Sequence, residues 1–161
     1  MYELLHKQLS SVLEGETNLI TNASNFSAFI FNNIPNINWA GFYFLTSNQE
    51  LLLGPFQGQP ACVRIKIGKG VCGTAFQNNE TILVNNVNEF PGHIACDSNS
   101  KSEIVIPLNK DDQIYGVFDI DSPIYNRFDN TDKKNIKLLV KNFLILTDFS
   151  KFNNIYPNIE L

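Results

Sequence analysis

The chain has 161 residues, 43% of them hydrophobic, which is typical of one globular domain with a sizeable core. Twelve basic residues against 16 acidic ones give a net charge of −4. The sequence therefore has no basic stripe that could neutralise the phosphates of a nucleic acid, and this excludes a nucleic-acid partner. No apolar run approaches the roughly 20 residues of a membrane span, and the N-terminus does not resemble a secretory leader. We expect a cytoplasmic protein with no membrane partner, in which three cysteines cannot form a closed disulfide framework.

The first third of the sequence predicts two helices and a β-hairpin. Apolar residues recur at helical spacing over residues 2–34, and Gly15 and Pro35 end the two runs. The apolar positions of these helices are Leu4, Leu5, Leu9, Val12, Leu13, Leu19, Ile20, Ala23, Phe26, Phe29 and Ile30. Residues 38–46 and 50–54 then predict two strands that turn at residues 47–49.

Short elements and one long loop follow. Residues 61–67 predict a strand, which leads through a glycine-rich turn into a short helix ending at about Asn78. Residues 81–84 predict another strand. Residues 85–102 form a long polar loop that contains His93 and Cys96, and loops of this length in compact domains are usually functional or mobile.

The last third predicts a second hairpin and a long helix. The strands span residues 103–109 and 113–121, and the helix spans residues 130–152 with Asn130 or Thr131 as its cap. Its buried stripe comprises Ile136, Leu139, Val140, Phe143 and Leu146. Helices at both ends with strands between them indicate an α+β domain with a mainly antiparallel sheet.

The second hairpin has two different faces. A three-residue turn at residues 110–112 pairs Asn109 with Gln113 and places Glu103 opposite Asp119. One face is then apolar and packs against the terminal helices: Ile104, Ile106, Leu108, Ile114, Phe118 and Ile120. The other face carries Glu103, Val105, Pro107, Tyr115, Val117, Asp119 and Asp121. Because facing like charges destabilise a sheet, the three carboxylates predict a pocket for an amine, a protonated substrate or a metal. The alternative is another register, with the acids solvated at a strand end.

The segment from Gly68 to Gly73 matches the G-x-G-x-x-G pattern of dinucleotide-binding turns. The parallel βαβ context of that fingerprint is missing, so simple turn chemistry is favoured. A second interpretation is a turn that brings backbone close to a ligand and places Cys72 in the first turn of a helix. The helix dipole would there lower the pKa of the Cys72 thiol.

The cysteines indicate thiol chemistry beside the acidic pocket. His93 lies three residues before Cys96 and could hold its thiolate. A zinc site from Cys62, Cys72, Cys96 and His93 has the right number of ligands, but no closely spaced cysteine pair supports it. Spacing alone leaves Cys72 and Cys96 as alternative nucleophiles.

Seven short motifs, taken in order, resemble the free methionine-(R)-sulfoxide reductases, which are built on a GAF domain. They are Trp39-Ala40-Gly41-Phe42-Tyr43, Gly54-Pro55-Phe56-Gln57-Gly58, Ala61-Cys62-Val63-Arg64-Ile65, Gly68-Lys69-Gly70-Val71-Cys72-Gly73, Gly92-His93-Ile94-Ala95-Cys96-Asp97, Ser102-Glu103-Ile104-Val105 and Phe118-Asp119-Ile120-Asp121-Ser122-Pro123. The resemblance is dense over residues 38–128. It implies one GAF domain over residues 1–152, with helices on one face of the sheet, a ligand pocket on the other, and a tail at residues 153–161.

The resemblance also implies roles for individual residues. Cys96 matches the catalytic cysteine of the family, and Cys62 and Cys72 match the resolving cysteines. On this basis we expect Glu103 and Asp121 to bind the sulfoxide oxygen and assist its protonation, and Asp119 to bind the substrate ammonium. Trp39 and Tyr43 are expected to bind the substrate, with Trp39 sheltering the methyl group. Backbone N–H groups in the loop before Cys96 are expected to hold the α-carboxylate.

The implied partners are free methionine-(R)-sulfoxide, a thioredoxin-like reductant and a second copy of the chain in a homodimer. No bound cofactor and no metal are expected. The alternative function is a non-catalytic GAF module that binds a small ligand or senses redox state. We expect no output domain of the kind that a sensor usually carries, and an acidic pocket suits an amino acid better than an anionic cyclic nucleotide.

Overall fold

The computed structural model describes residues 1–92 and 98–155, with side chains through residue 153. Within these ranges the strands are β1 (Trp39–Leu45), β2 (Glu50–Gly58), β3 (Arg64–Lys66), β4 (Ile82–Val84), β5 (Ser102–Lys110) and β6 (Gln113–Ser122). They form one sheet in the order β3-β2-β1-β6-β5-β4, and every neighbouring pair is antiparallel. The helices are α1 (Tyr2–Leu13), α2 (Leu19–Asn33), α3 (Gly70–Asn78), α4 (Asn130–Leu146) and α5 (Phe152–Ile155). This architecture confirms the predicted α+β class.

The terminal helices cover one face of the sheet. Phe26 of α2 lies among Phe42, Phe118 and Phe143, with ring centroids 4.8 to 5.7 Å away, at the centre of the main core. Aromatic contacts at such distances add stabilisation beyond the area that they bury. A second, smaller core lies on the opposite face, where α3 packs against β5 and β6.

The predicted apolar stripe of the first helix is too wide. Leu5, Leu9 and Leu13 are buried at a spacing of four residues, whereas Leu4 and Val12 are exposed. Ile20 at the start of α2 is also exposed. A helix that packs on only one side buries a narrow stripe, and these three residues lie beside it.

The last helix begins and ends at different places than predicted. Asp129 is its cap, and its side chain forms a capping box with Asp132 in place of a cap by Asn130 or Thr131. The helix ends at Leu146, because the next residues turn back: the Asp148 amide donates to Thr17, and the Asp148 carboxylate accepts from the Ser150 amide. Leu146 is only half-buried.

The second hairpin is shifted by two residues from the predicted register. Its turn has two residues, Asp111 and Asp112, both with positive φ, and Lys110 pairs with Gln113. A bulge between Pro107 and Asn109 completes the shift, so that Glu103 faces Asp121 directly. Because side chains alternate with a period of two, a shift of two residues leaves Glu103, Asp119 and Asp121 on one face, as predicted.

Tyr115 does not lie on the face predicted for it, which is the face of the three carboxylates. It packs against Phe149 and Phe152 on the helix-covered side of the sheet. The next residue, Gly116, has a φ of 154°, and a Cβ there would lie 2.1 Å from the Tyr43 carbonyl oxygen. This glycine breaks the alternation that the prediction assumed.

Shorter differences occur elsewhere in the chain. Of the strand expected over residues 61–67, only β3 forms, and just before it the Val63 carbonyl accepts a hydrogen bond from the Leu53 amide of β2. The polar loop holds a 3₁₀ turn at Val87–Glu89. No helix within the described ranges is long and apolar enough to cross a membrane. The predicted boundary between domain and tail falls inside α5, where Phe152 is buried in the main core; this boundary stays a prediction.

Candidate active site

A cavity of about 40 Å³ lies on the α3 side of the sheet, between β1, β5, β6 and α3. A buried water needs about 10–15 Å³, so the cavity can hold more than one. Its described lining residues are Trp39, Tyr43, Pro60, Ala61, Ile65, Lys69, Gly70, Val71, Cys72, Ser100, Glu103, Asp119 and Asp121. The structure therefore brings together six of the eight site residues predicted from the sequence.

The three carboxylates meet because neighbouring strands carry them on the same face. Glu103 on β5 faces Asp121 on β6, and Asp119 lies two residues earlier on β6. Glu103 and Asp119 are each only 6% exposed. Cys72 from α3 lies over them, with its Sγ atom 4.0 Å from Oε1 of Glu103.

Burial dominates the electrostatics of this cluster. It raises the pKa of Glu103 well above its usual range, and the nearby charges of Asp119 and Asp121 raise it further. Burial also raises the pKa of Asp119 to about 7, against hydrogen bonds from Cys72 and Glu103 that lower it. The raised pKa favours the protonated form of Glu103, and a protonated carboxyl group can donate a hydrogen bond or a proton to a ligand.

The expected activation of Cys72 is wrong. Cys72 does lie in the first turn of α3, as predicted, but it is a buried free thiol. Burial raises the pKa of this thiol well above its usual value, and the three carboxylates raise it further. These effects outweigh the helix dipole, so Cys72 is poorly suited to be the attacking thiolate.

Two aromatic residues of β1 form another wall of the cavity and hold the segment that carries Cys62. Trp39 stacks on Tyr43 and on Phe56, with ring centroids 5.9 and 5.3 Å apart. The Trp39 indole N–H donates to the Gln59 carbonyl at 3.1 Å, and the Tyr43 hydroxyl donates to the Cys62 carbonyl at 2.9 Å. Burial raises the pKa of Tyr43, so its hydroxyl stays protonated as a donor.

The structure gives a bonding state for two of the three cysteines. Cys62 is disulfide-bonded, and Cys72 is free. Cys96 and His93 lie outside the described residues, so their predicted roles as nucleophile and thiolate partner remain predictions. The same holds for the zinc set that includes both of them, and for the loop before Cys96 as a carboxylate site.

Cys72, Glu103 and Asp119 are the cluster within the described ranges that comes nearest to a metal site, since their ligand atoms lie within 4.8 Å of one another. Zinc bond lengths imply a sulfur-to-oxygen separation of about 3.5 Å in a tetrahedral site. The 4.0 Å between Cys72 and Glu103 is longer. We therefore assign no metal to this cluster.

Sequence reasoning did not identify Lys69 and Ser100 as cavity residues. Lys69 belongs to the glycine-rich turn, whose possible approach to a ligand was the one signal that could have found it. Ser100 is buried and accepts a hydrogen bond from the Asn38 side chain. No pattern around Ser100 marks it in the sequence.

The family model of the GAF domain matches residues 12–142. The chain is 45% identical to the free methionine-R-sulfoxide reductase of Escherichia coli, over 94% of this chain and 93% of the relative. The reduced form of fRMsr from Staphylococcus aureus has the same fold with a TM-score of 0.87 and 54% identity, over 90% of this chain and 94% of that one. The free methionine-R-sulfoxide reductase of Neisseria meningitidis, solved in complex with its substrate, matches with a TM-score of 0.86 and 40% sequence identity, over 90% of this chain and 87% of that one.

These similarities cover nearly the whole described fold, including every strand that contributes to the cavity. The chain belongs to the GAF domain family, and within it to the free methionine-(R)-sulfoxide reductases.

Proposed function

We propose that this protein reduces free L-methionine-(R)-sulfoxide to L-methionine, with Cys96 as the nucleophile. The observation that carries the proposal is the cavity in which buried Glu103 and Asp119 and half-buried Asp121 face an aromatic wall. Relatives that share this fold are free methionine-R-sulfoxide reductases, and one was solved with its substrate.

The first step is an attack by the Cys96 thiolate on the sulfoxide sulfur. As the sulfur–oxygen bond of the substrate breaks, its oxygen needs a proton, and Glu103 is suited to supply it because burial raises its pKa and so favours its protonated form. Asp121 faces Glu103 across the ladder and shares the binding of this oxygen, while Asp119 takes the substrate ammonium. Trp39 shelters the methyl group, and Tyr43 lines the same wall as a substrate-binding residue. The products are methionine and a Cys96 sulfenic acid, which carries the transferred oxygen.

A second cysteine then removes the sulfenic acid. Its thiol attacks the sulfenic sulfur, a disulfide forms, and the oxygen leaves as water. We assign this first resolving step to Cys62, because Cys62 is disulfide-bonded in the structure whereas Cys72 is a free thiol of raised pKa. Cys72 acts afterwards, by exchange with the first disulfide.

An external dithiol protein of the thioredoxin type returns the enzyme to its reduced state by thiol–disulfide exchange. The reaction balances with cysteines, protons and this reductant, so the proposal includes no bound cofactor. A cycle of this kind works in a reducing compartment, which supports our proposal of a cytoplasmic location. We also propose that it acts as a homodimer, as the family resemblance implies.

The experiment compares three substrates side by side with a chemical dithiol as reductant. They are free methionine-(R)-sulfoxide, the free S epimer, and the R sulfoxide with a blocked amine and a blocked carboxylate. We expect reduction of the free R epimer alone, since losing two charge-assisted contacts should cost the blocked compound about 100-fold or more. Comparable use of the blocked compound would contradict the charge argument. Binding of the R epimer without reduction would indicate a sensor.

A further inference from the structure

The Trp39 indole lies close against the sheet because two glycines leave room for it. A Cβ atom at Gly41 would lie 2.6 Å from Cη2 of Trp39, and one at Gly58 would lie 2.7 Å from its Cδ1, separations that real Cβ atoms do not show. Between these two ends of the ring, the indole N–H donates to the Gln59 carbonyl. The indole therefore cannot move closer to the sheet, and turning in its own plane would break the hydrogen bond.

Phe56 supports the indole from the neighbouring strand. It lies opposite Gly41 in the pairing of β1 with β2, and its ring stacks on the indole with the centroids 5.3 Å apart and the planes 16° from parallel. A Cβ atom at Gly41 would overlap the Cβ atom of Phe56, so both side chains use the space that this glycine leaves. Phe56 is half-buried and is not part of the described lining of the cavity, whereas Trp39 is. Phe56 therefore acts on a ligand through Trp39.

The other aromatic neighbour of the indole is held in place by a hydrogen bond. Tyr43 stacks on the indole, is 2% exposed, and donates its hydroxyl proton to the Cys62 carbonyl at 2.9 Å. The sheet and Tyr43 thus restrict the indole on two sides. A large-to-small substitution at Phe56 leaves a space into which neighbouring side chains relax in part. Such a substitution gives the indole a way to withdraw from the cavity.

We propose that Phe56 is a positioning residue that restricts the alkyl group on the substrate sulfur to a methyl group. It does so by holding the Trp39 indole at the cavity wall, because a close-packed wall accepts an extra methylene only if its side chains shift. This inference rests on the proposed function, in which Trp39 shelters the substrate methyl group. It deepens that function by naming the substrate class as S-methyl rather than S-ethyl amino-acid sulfoxides.

The test compares the affinities of free methionine-(R)-sulfoxide and of free ethionine-(R)-sulfoxide, its S-ethyl homologue. Binding is measured by calorimetry in a parent protein that carries Cys96→Ser, so that neither ligand is consumed. One methylene in a hydrophobic pocket corresponds to about 10-fold or more in discrimination. We expect the parent to prefer the methyl compound by about 10-fold, and Phe56→Leu to reduce this preference by at least about threefold, because the indole withdraws.

Two further variants separate support of the indole from a general effect on stability. Phe56→Tyr keeps the stacked ring and should keep the preference of the parent. Phe76→Leu is the matched control, since Phe76 of α3 is also half-buried against the second core and outside the described lining of the cavity. It should leave the preference unchanged. Each preference compares two ligands on one variant, so a loss of folded protein lowers both affinities alike and does not imitate the effect.

Three results would overturn the role of Phe56. They are an unchanged preference in Phe56→Leu, an equal change in Phe76→Leu, and a parent that binds the ethyl compound as tightly as the methyl compound. Reduction of methionine sulfoxide by the wild type is assayed separately with a chemical dithiol. A failure of the proposed reaction is then seen in that assay, and a failure of this inference is seen in the ratio of affinities.

Discussion

Replacing Asp119 by asparagine should raise the free energy of unfolding more at pH 8 than at pH 4. Burial raises the pKa of Asp119 from 3.8 to about 7. Between these pH values the folded protein holds a proton that the unfolded chain releases. Folding then takes up a proton, so the stability of the wild type falls as the pH rises through this window. Each pKa unit corresponds to about 1.36 kcal/mol, which gives a total on the order of 4 kcal/mol above pH 7. Asparagine has no proton to lose and escapes this cost.

The assay is urea unfolding between pH 4 and pH 8, with all cysteines kept reduced. Any change in hydrogen bonding that asparagine introduces is the same at every pH, so the pH dependence of the difference reports the Asp119 carboxylate together with its effect on the pKa of Glu103. Asp112→Asn removes one carboxylate from the exposed hairpin turn and is the matched control. A difference between wild type and Asp119→Asn that stays constant from pH 4 to pH 8 would refute the desolvated state of Asp119.

Three further predictions concern the reaction and the segment that carries Cys62. Glu103→Gln and Asp121→Asn should each slow the chemical step at least about 100-fold, measured as single-turnover release of methionine, and near-normal rates at saturating substrate would contradict the acid mechanism. Cys62→Ser and Cys72→Ser should keep the first burst of methionine but impair steady-state turnover; loss of the burst would show that they act before the disulfide. Tyr43→Phe removes the donor to the Cys62 carbonyl and should lower the free energy of unfolding by about 1 kcal/mol and slow turnover; an unchanged urea midpoint would argue against that hydrogen bond.

The sequence predicts which side chains share a face of the sheet, because this depends only on the alternation of side chains along each strand. The hairpin register was off by two residues, since the bulge near Pro107 and the two-residue turn have no clear local signal. The error did not separate Glu103 from Asp119 and Asp121, because an even shift keeps each side chain on its face. An odd shift would have moved the acids into the apolar core.

Properties that depend on packing could not be predicted in this way. The position of Cys72 in the first turn of α3 follows from its glycine-rich turn, but its raised pKa follows from burial under β5 and β6. Lys69 enters the cavity only because α3 packs on the sheet at that place. Tyr115 changes sides because Gly116 lies against the backbone of β1. Each of these depends on neighbours that are distant in the chain.

The measurement that tests the central claim most directly is single-turnover release of methionine by the Cys96→Ser variant. The fully reduced protein, without external reductant, is mixed with excess free methionine-(R)-sulfoxide, and the methionine formed per chain is counted. We predict a rapid burst from the wild type and from Cys62→Ser, because the first step needs only the nucleophile, and no burst from Cys96→Ser, since a serine hydroxyl is far less ionised than a thiol. A normal burst from Cys96→Ser would contradict the account and would transfer the role of nucleophile to another cysteine.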